Sequence, residues 1–326
     1  MNLFFWILVL LAAVWAAHWG ADQVAEPLKK LRQQWGLTEA AGAAFVALAT
    51  ASPEVGTNTV SAIRGLSDIG LGNLLGSNII SVPAIVTVAY VASRKGSRAK
   101  GDRRLMRVKP EALTVQALPY LAIVALAAIL TLPQPWRGLQ PIDGWIMFAA
   151  YFVYLAQAIF RQRQDGQEVR WQKKEIILAV LGAIALGAGA YLTVIATENI
   201  VSALGISRLV GGLFITSTLS IAPEVFASWS VARSGQVTAA TTNVIADNTV
   251  TMTLAFFPLA LVTLPIEDLQ LFSVNLAFVA LLGAIYAALI YFGSEKYSFQ
   301  LWEVVALSGV YLVYLAVMLF GVLNIV

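Results

Sequence analysis

Residues 49–81 read ATASPEVGTNTVSAIRGLSDIGLGNLLGSNIIS, and residues 217–251 read STLSIAPEVFASWSVARSGQVTAATTNVIADNTVT. A shift of 170 lays Pro-Glu-Val at 53–55 on Pro-Glu-Val at 223–225. The same shift lays Gly42 on Gly212, Gly65 on Gly235, Asn73 on Asn243 and Asn78 on Asn248. Self-similarity at a fixed offset marks an internal repeat. Each copy joins two apolar runs through a short polar turn, RGLSD in the first and RSGQ in the second, so each reads as a pair of membrane-length segments.

The rest of the chain supports a membrane setting. Of 326 residues 59% are apolar and 12% charged, with mean hydropathy +0.77. A water-soluble domain carries about 25% charged residues, so too little polar surface remains here to coat a globule. Apolar runs between polar breaks predict ten spans, at 3–19, 37–63, 69–93, 112–133, 142–160, 175–197, 208–232, 237–262, 270–293 and 300–325. The fold class is therefore an all-α integral membrane protein of ten transmembrane helices. Five spans separate the copies, an odd number, so the second enters the membrane from the opposite side. That makes two inverted five-helix halves, 1–163 and 175–326, with repeats at about 37–93 and 208–262 and a linker at 164–174. Inverted repeats of this kind place a transport site near the midplane between the copies.

Of the 21 Lys and Arg residues, 18 fall on one side of this layout; only Arg64, Arg137 and Arg208 fall on the other. The positive-inside rule then puts the basic loops in the cytoplasm and both termini outside, the expected residence being the plasma (inner) membrane. The basic run at 94–109 is read as a topology signal that also offers a contact for anionic lipid, not as a nucleic-acid patch. The first segment lacks a basic leader and is read as a retained span. Its His18, the single histidine, is expected as a satisfied interfacial side chain. Cysteine is absent, which excludes disulfides, thiolate metal sites and cysteine nucleophiles.

Most of the 18 acidic residues lie in connections or at span ends, with Asp68 expected as a cap. Glu54, Glu224 and Asp247 fall near span centres instead, where a carboxylate costs about 2.5 to 3.5 kcal/mol on insertion scales and marks a functional site by default. No Lys or Arg is expected at that depth, so a proton or a cation must balance them. Pro53 and Pro223 precede the two glutamates and free the carbonyls of Ala49 and Leu219 from helical bonding. Freed carbonyls beside carboxylates suit a hard cation. Helical spacing aligns Ala47, Thr50 and Glu54 on one face, and Ser217, Ser220 and Glu224 on its counterpart. Asn73, Ser77 and Ser81 share a stripe in the next span, as do Asn243, Asp247 and Thr251. For Asn73, Asn78, Asn243 and Asn248, bonding between helices is weighed evenly against a role at the ion.

The quoted stretches resemble the alpha repeats of the cation/calcium exchanger superfamily, whose pattern is close to G-T-S-x-P-E followed by D-x-x-x-G-N-x-x-G-S-N-I-x-N. The first copy is the closer match and the second diverges. The resemblance implies an antiporter that exchanges Ca2+ against Na+ or H+, with no organic cofactor. It implies Glu54 and Glu224 as central carboxylates, with Thr50, Ser77, Ser220 and the carbonyls of Ala47 and Ser217 as further oxygens. Where the family carries further oxygen ligands this chain has Ala51, Ile221, Ser81 and Thr251, while Asp247 replaces a serine. Ser81, Thr251 and Asp247 complete the expected ion-binding set. The alternative on the same scaffold is a proton-coupled exchanger, or one for another cation, that has lost the usual Na+ sites; a cation channel or an intramembrane enzyme fits less well. Expected partners are inorganic cations and the bilayer, with no nucleic acid and no obligate protein.

Overall fold

The computed structural model describes residues 3–37, 39–95, 105–161 and 166–324. Most of the basic run at 94–109 lies outside them. Eleven helices follow in order: α1 (Leu3–Gln34), α2 (Glu39–Thr50), α3 (Ser52–Ile63), α4 (Ser67–Lys95), α5 (Ala112–Thr131), α6 (Pro141–Arg161), α7 (Lys173–Leu204), α8 (Arg208–Arg233), α9 (Val237–Leu261), α10 (Leu269–Phe292) and α11 (Leu301–Val322). The only sheet among the described residues is a two-residue antiparallel ladder, β1 (Met106–Arg107) with β2 (Ser298–Phe299), which ties the approach to α5 to the approach to α11.

Among the described residues, nine helices are long and apolar enough to cross a membrane. The expected span at 37–63 is the one outside that count. It is cut at Ala51 into α2 and α3, twelve residues each. The cause is Pro53 at the start of α3: it has no N–H, and its ring disfavours a helical residue before it.

Two expected boundaries are also corrected. α1 continues past residue 19 to Gln34, and α7 runs to Leu204 where 197 was expected. Lys29 and Lys30, expected in a connection, therefore stand on the last turns of α1. There Lys29 pairs with Glu26 at 2.6 Å, and Lys30 pairs with Glu175 and donates to the Arg170 carbonyl at 2.9 Å. At 1.5 Å per residue, each of these 32-residue helices is about 48 Å long, well beyond the ~30 Å hydrocarbon core, so they tilt or project.

The repeat is visible in the helices themselves. α1 and α7 begin and end 170 residues apart, α4 and α9 begin 170 apart, and α3 and α8 end 170 apart. Gly65 (φ +66°) and Gly235 (φ +92°) turn the chain between the paired segments of each copy, in a left-handed conformation that other residues adopt at a cost.

α4 and α9 form the centre, buried over 72% and 78% of their most apolar stretches, against 22–44% for the other long helices. The outer helices turn Val153, Phe160, Ile184 and Phe292 outward, each at least 64% exposed, as a lipid-facing surface does. Helices approach closely where glycines remove side chains. Gly72 on α4 meets Gly212 on α8 backbone to backbone, and Gly20 on α1 meets Gly182 on α7. Without a hydrophobic drive between helices in lipid, such close seams are what holds a bundle together.

Candidate functional site

The four repeat segments bring their polar residues to the middle of the bundle. Glu54, on the first turn of α3, is 3% exposed, and its Oε2 has no hydrogen-bond partner among the described residues. Glu224 stands on α8, directly after Pro223. Asp247 on α9 is 7% exposed and accepts a hydrogen bond from Thr50 Oγ1 at 2.5 Å, which links α2 to α9. No Lys or Arg pairs with any of the three among the described residues; the ion pairs there join Lys29 to Glu26, Lys30 to Glu175, Arg107 to Glu295 and Arg208 to Glu198.

A cavity of about 60 Å³ touches Thr50, Glu224, Asn243 and Asp247 and runs past Ser228 and Val231 toward the turn between α8 and α9. It has room for one or two small ions or waters and is lined at its inner end by carboxylates. Buried acceptor oxygens without donors are costly unless a proton or cation meets them.

The two copies differ at the prolines. The Ala49 carbonyl, expected to be freed by Pro53, accepts the Ser52 hydroxyl at 2.5 Å, so a side chain three residues on takes the place of the missing amide. The matching residue in the second copy is Ala222, which has no hydroxyl to offer, and α8 runs through Pro223 without a break. The Ala47 carbonyl, expected at the ion, carries the ordinary helical bond from the Ala51 amide at 2.9 Å.

The remaining expected residues separate into two groups. Ser220 Oγ donates to Asn73 Oδ1 at 3.3 Å across the α4–α8 seam, and Asn73 Nδ2 is buried without a partner among the described residues. Ser77 bonds the Leu74 carbonyl at 3.2 Å, and Ser217 bonds the Leu213 carbonyl. The second group forms a clasp between α4 and α9. Asn78 Nδ2 donates to Thr251 Oγ1 at 2.7 Å, Ser81 Oγ donates to Asn248 Oδ1 at 3.0 Å, and Tyr120 OH donates to Asn78 Oδ1 at 3.1 Å. Asn78 and Asn248 thus make the inter-helix bonds that were one of their two expected roles.

His18 departs most from its expected place. It is buried, not interfacial, and its ring stands beside Glu54 and Glu224. Satisfied side chains were expected, yet Nε2 has no partner among the described residues. A signal was present in the sequence: Ala13, Ala17 and Gly20 flank it with the small residues that a close seam needs, and α1 does pack along α7 there. Asn58 was also missed; fully buried on α3, it donates to the Ala255 carbonyl at 3.1 Å.

The sequence profile of the family described as sodium/calcium exchanger protein matches residues 4–160 and again 174–320. The chain is 24% identical to the sodium/calcium exchanger MaX1 of Methanosarcina acetivorans, over 96% of this chain and 98% of that protein. Two further curated relatives are matched over 65% and 74% of their own lengths. Among solved structures, the H+/Ca2+ exchanger CAX superposes with a TM-score of 0.77 at 14% identity, covering 99% of this chain and 84% of that one. The sodium-calcium exchanger NCX_Mj superposes with a TM-score of 0.65 at 20% identity, covering 97% and 99%. These two likenesses establish the shared fold, and the doubly matching profile establishes the relationship. The chain belongs to the sodium/calcium exchanger family, whose members are membrane antiporters and not enzymes.

Proposed function

We propose that this antiporter exchanges Ca2+ for Na+ or H+ by alternating access between its halves, 1–163 and 175–326, and that Glu54, Glu224 and Asp247 hold the ions. The observation that carries the reading is the meeting of Glu54 and Glu224, one from each copy, with ligand oxygens within 4.8 Å of each other and no cationic side chain paired with either among the described residues. Two carboxylates balance one divalent charge, and two monovalent ions or protons balance the same pair on the return stroke. A neutral loaded site can cross the low-dielectric interior in either form. Thr50 and Ser220 add hydroxyl oxygens, and Thr50 also holds Asp247 in place.

In this reading the protein sits in the plasma membrane with its basic loops in the cytoplasm and both termini outside. The cavity beside Asp247 then opens toward the cytoplasmic turn between α8 and α9. Residues 94–109 meet anionic lipid there.

Protons are the favoured return ion on one observation. At positions where the family carries further ligands, Ala51 and Ile221 offer no side-chain oxygen, and Ser81 and Thr251 stand in the α4–α9 clasp with Asn248 and Asn78. Fewer side-chain oxygens remain for a desolvated Na+.

Radioactive Ca2+ uptake into proteoliposomes tests both points. Glu54→Gln and Glu224→Gln each remove uptake in the expected outcome, and full uptake by either variant overturns the assignment. With wild-type protein, a pH gradient drives uptake and a Na+ gradient at fixed pH does not. The reverse result restores Na+ as the coupling ion.

A further inference from the structure

His18 is the chain's single histidine and is nine-tenths buried on α1, outside the four repeat segments. Its Nδ1 stands 2.9 Å from the Val14 carbonyl oxygen. A carbonyl only accepts hydrogen bonds, so Nδ1 carries the proton and Nε2 keeps its lone pair. That lone pair is enclosed and meets no donor among the described residues, and the same is true of Glu54 Oε2. Ligand atoms of His18, Glu54 and Glu224 all lie within 4.8 Å of one another. Three buried or half-buried acceptor side chains within this distance, with no donor among them, form an arrangement that a metal ion relieves.

We infer that His18, Glu54 and Glu224 form a one-nitrogen, two-carboxylate site for a borderline first-row divalent cation of the Co2+ and Zn2+ class, as a second cargo beside Ca2+. The inference rests on the exchange reading above and extends its substrate class. Calcium takes six to eight oxygen ligands, and an imidazole nitrogen adds little to it. Zinc-class ions bind imidazole nitrogen and carboxylate oxygen at about 2.0–2.2 Å, with water completing a four-coordinate shell. Two donors on one four-coordinate ion of this class stand about 3.3–3.6 Å apart, so atoms as far apart as 4.8 Å must close by about 1.2–1.5 Å when the ion binds. The Nδ1 bond to Val14 is the backing that metal-bound imidazoles carry: it fixes the tautomer and aims Nε2.

The single histidine makes the test clean, provided that the protein is purified without a polyhistidine tag. Pulsed EPR on Cu2+-loaded wild-type protein should show modulation from the remote imidazole nitrogen, which changes on growth with 15N-histidine. Its absence overturns the inference, with no variant needed. In parallel, Co2+ and Ca2+ are titrated into wild-type protein and His18→Gln. The expected result is a loss of about tenfold or more in Co2+ affinity, within the range for an altered metal-site partner. Ca2+ affinity should change much less. Equal Co2+ affinity in the two proteins overturns the nitrogen ligand. Normal Ca2+ exchange with no imidazole signal sinks this inference alone, whereas full Ca2+ exchange by Glu54→Gln sinks the reading beneath it.

Discussion

Substituting Gly72 by alanine tests whether the α4–α8 seam sets the ion site. A Cβ at Gly72 would stand 2.8 Å from the Leu213 amide nitrogen and 2.9 Å from Gly212 Cα, and closer still to the Leu209 carbonyl oxygen. All three obstacles are backbone atoms on α8, so no side chain can rotate away. Ordinary contacts lie near 3.5 Å, so the helices must part by roughly 0.7 Å at the nitrogen and more at the carbonyl. Overpacking of this kind costs about 1–3 kcal/mol. The damage is also positional. The Ser220–Asn73 bond is already 3.3 Å long, and a parting of that size breaks it. Ser220 lies one turn before Glu224, so the second carboxylate moves away from the first. Gly72→Ala is therefore expected to weaken Ca2+ uptake about tenfold in apparent affinity and to lower thermal stability in detergent. Gly187→Ala is the control, because a Cβ there meets nothing within 4 Å and alanine favours the helix by about 1 kcal/mol. If the two variants show the same affinity and stability, the seam does not position the site.

Thr50→Val removes the donor that Asp247 accepts while keeping the side chain's shape. It should shift the concentration or pH dependence of exchange with little loss of stability, as measured by uptake curves beside a melting curve. Glu303 is fully buried, and its two oxygens take the Ser294 and Gln300 amides at 2.8 and 2.7 Å at the start of α11. Glu303→Ala should cost about 1–3 kcal/mol in stability and leave Ca2+ affinity unchanged, since it strands two amides far along the chain from the repeats. Tyr120→Phe removes the phenol that donates to Asn78 and should cost about 1 kcal/mol, read as a lower melting point with exchange retained.

Much of the fold was legible because the bilayer removes alternatives. With no water to satisfy a backbone, an apolar run of twenty residues has to be a helix, and a carboxylate within it has to be explained. Glu54, Glu224 and Asp247 stood out for that reason. The break at Ala51 was half legible: Pro53 announced a fault, but Pro223 carries the same residue type within an unbroken helix, and the difference lies in neighbours such as Ser52 and Ala222. The length of α1 was not legible from hydropathy, because its charged last turns continue as helix with an ion pair from Lys30 to the distant Glu175. His18 was only half legible, since its small neighbours Ala13, Ala17 and Gly20 announce a seam but not its partner. Its burial depends on α1 lying along α7 through Gly20, Gly182 and Gly189, a contact between segments some 170 residues apart.

The joint at Ala51 has a kinetic consequence. If each copy closed one side of the membrane with an identical helix, the two faces of the transporter would open with equal ease. Here one copy carries a jointed pair, α2 and α3, where the other carries α8, which is π-helical over Gly212–Thr216 and runs unbroken through its proline. A joint bends with little loss of hydrogen bonding, whereas the unbroken stretch Ser217–Arg233 around Pro223 must move as one piece. If the two copies open opposite faces, equal and opposite ion gradients should drive unequal fluxes, and the asymmetry would trace to a single proline whose counterpart is accommodated differently.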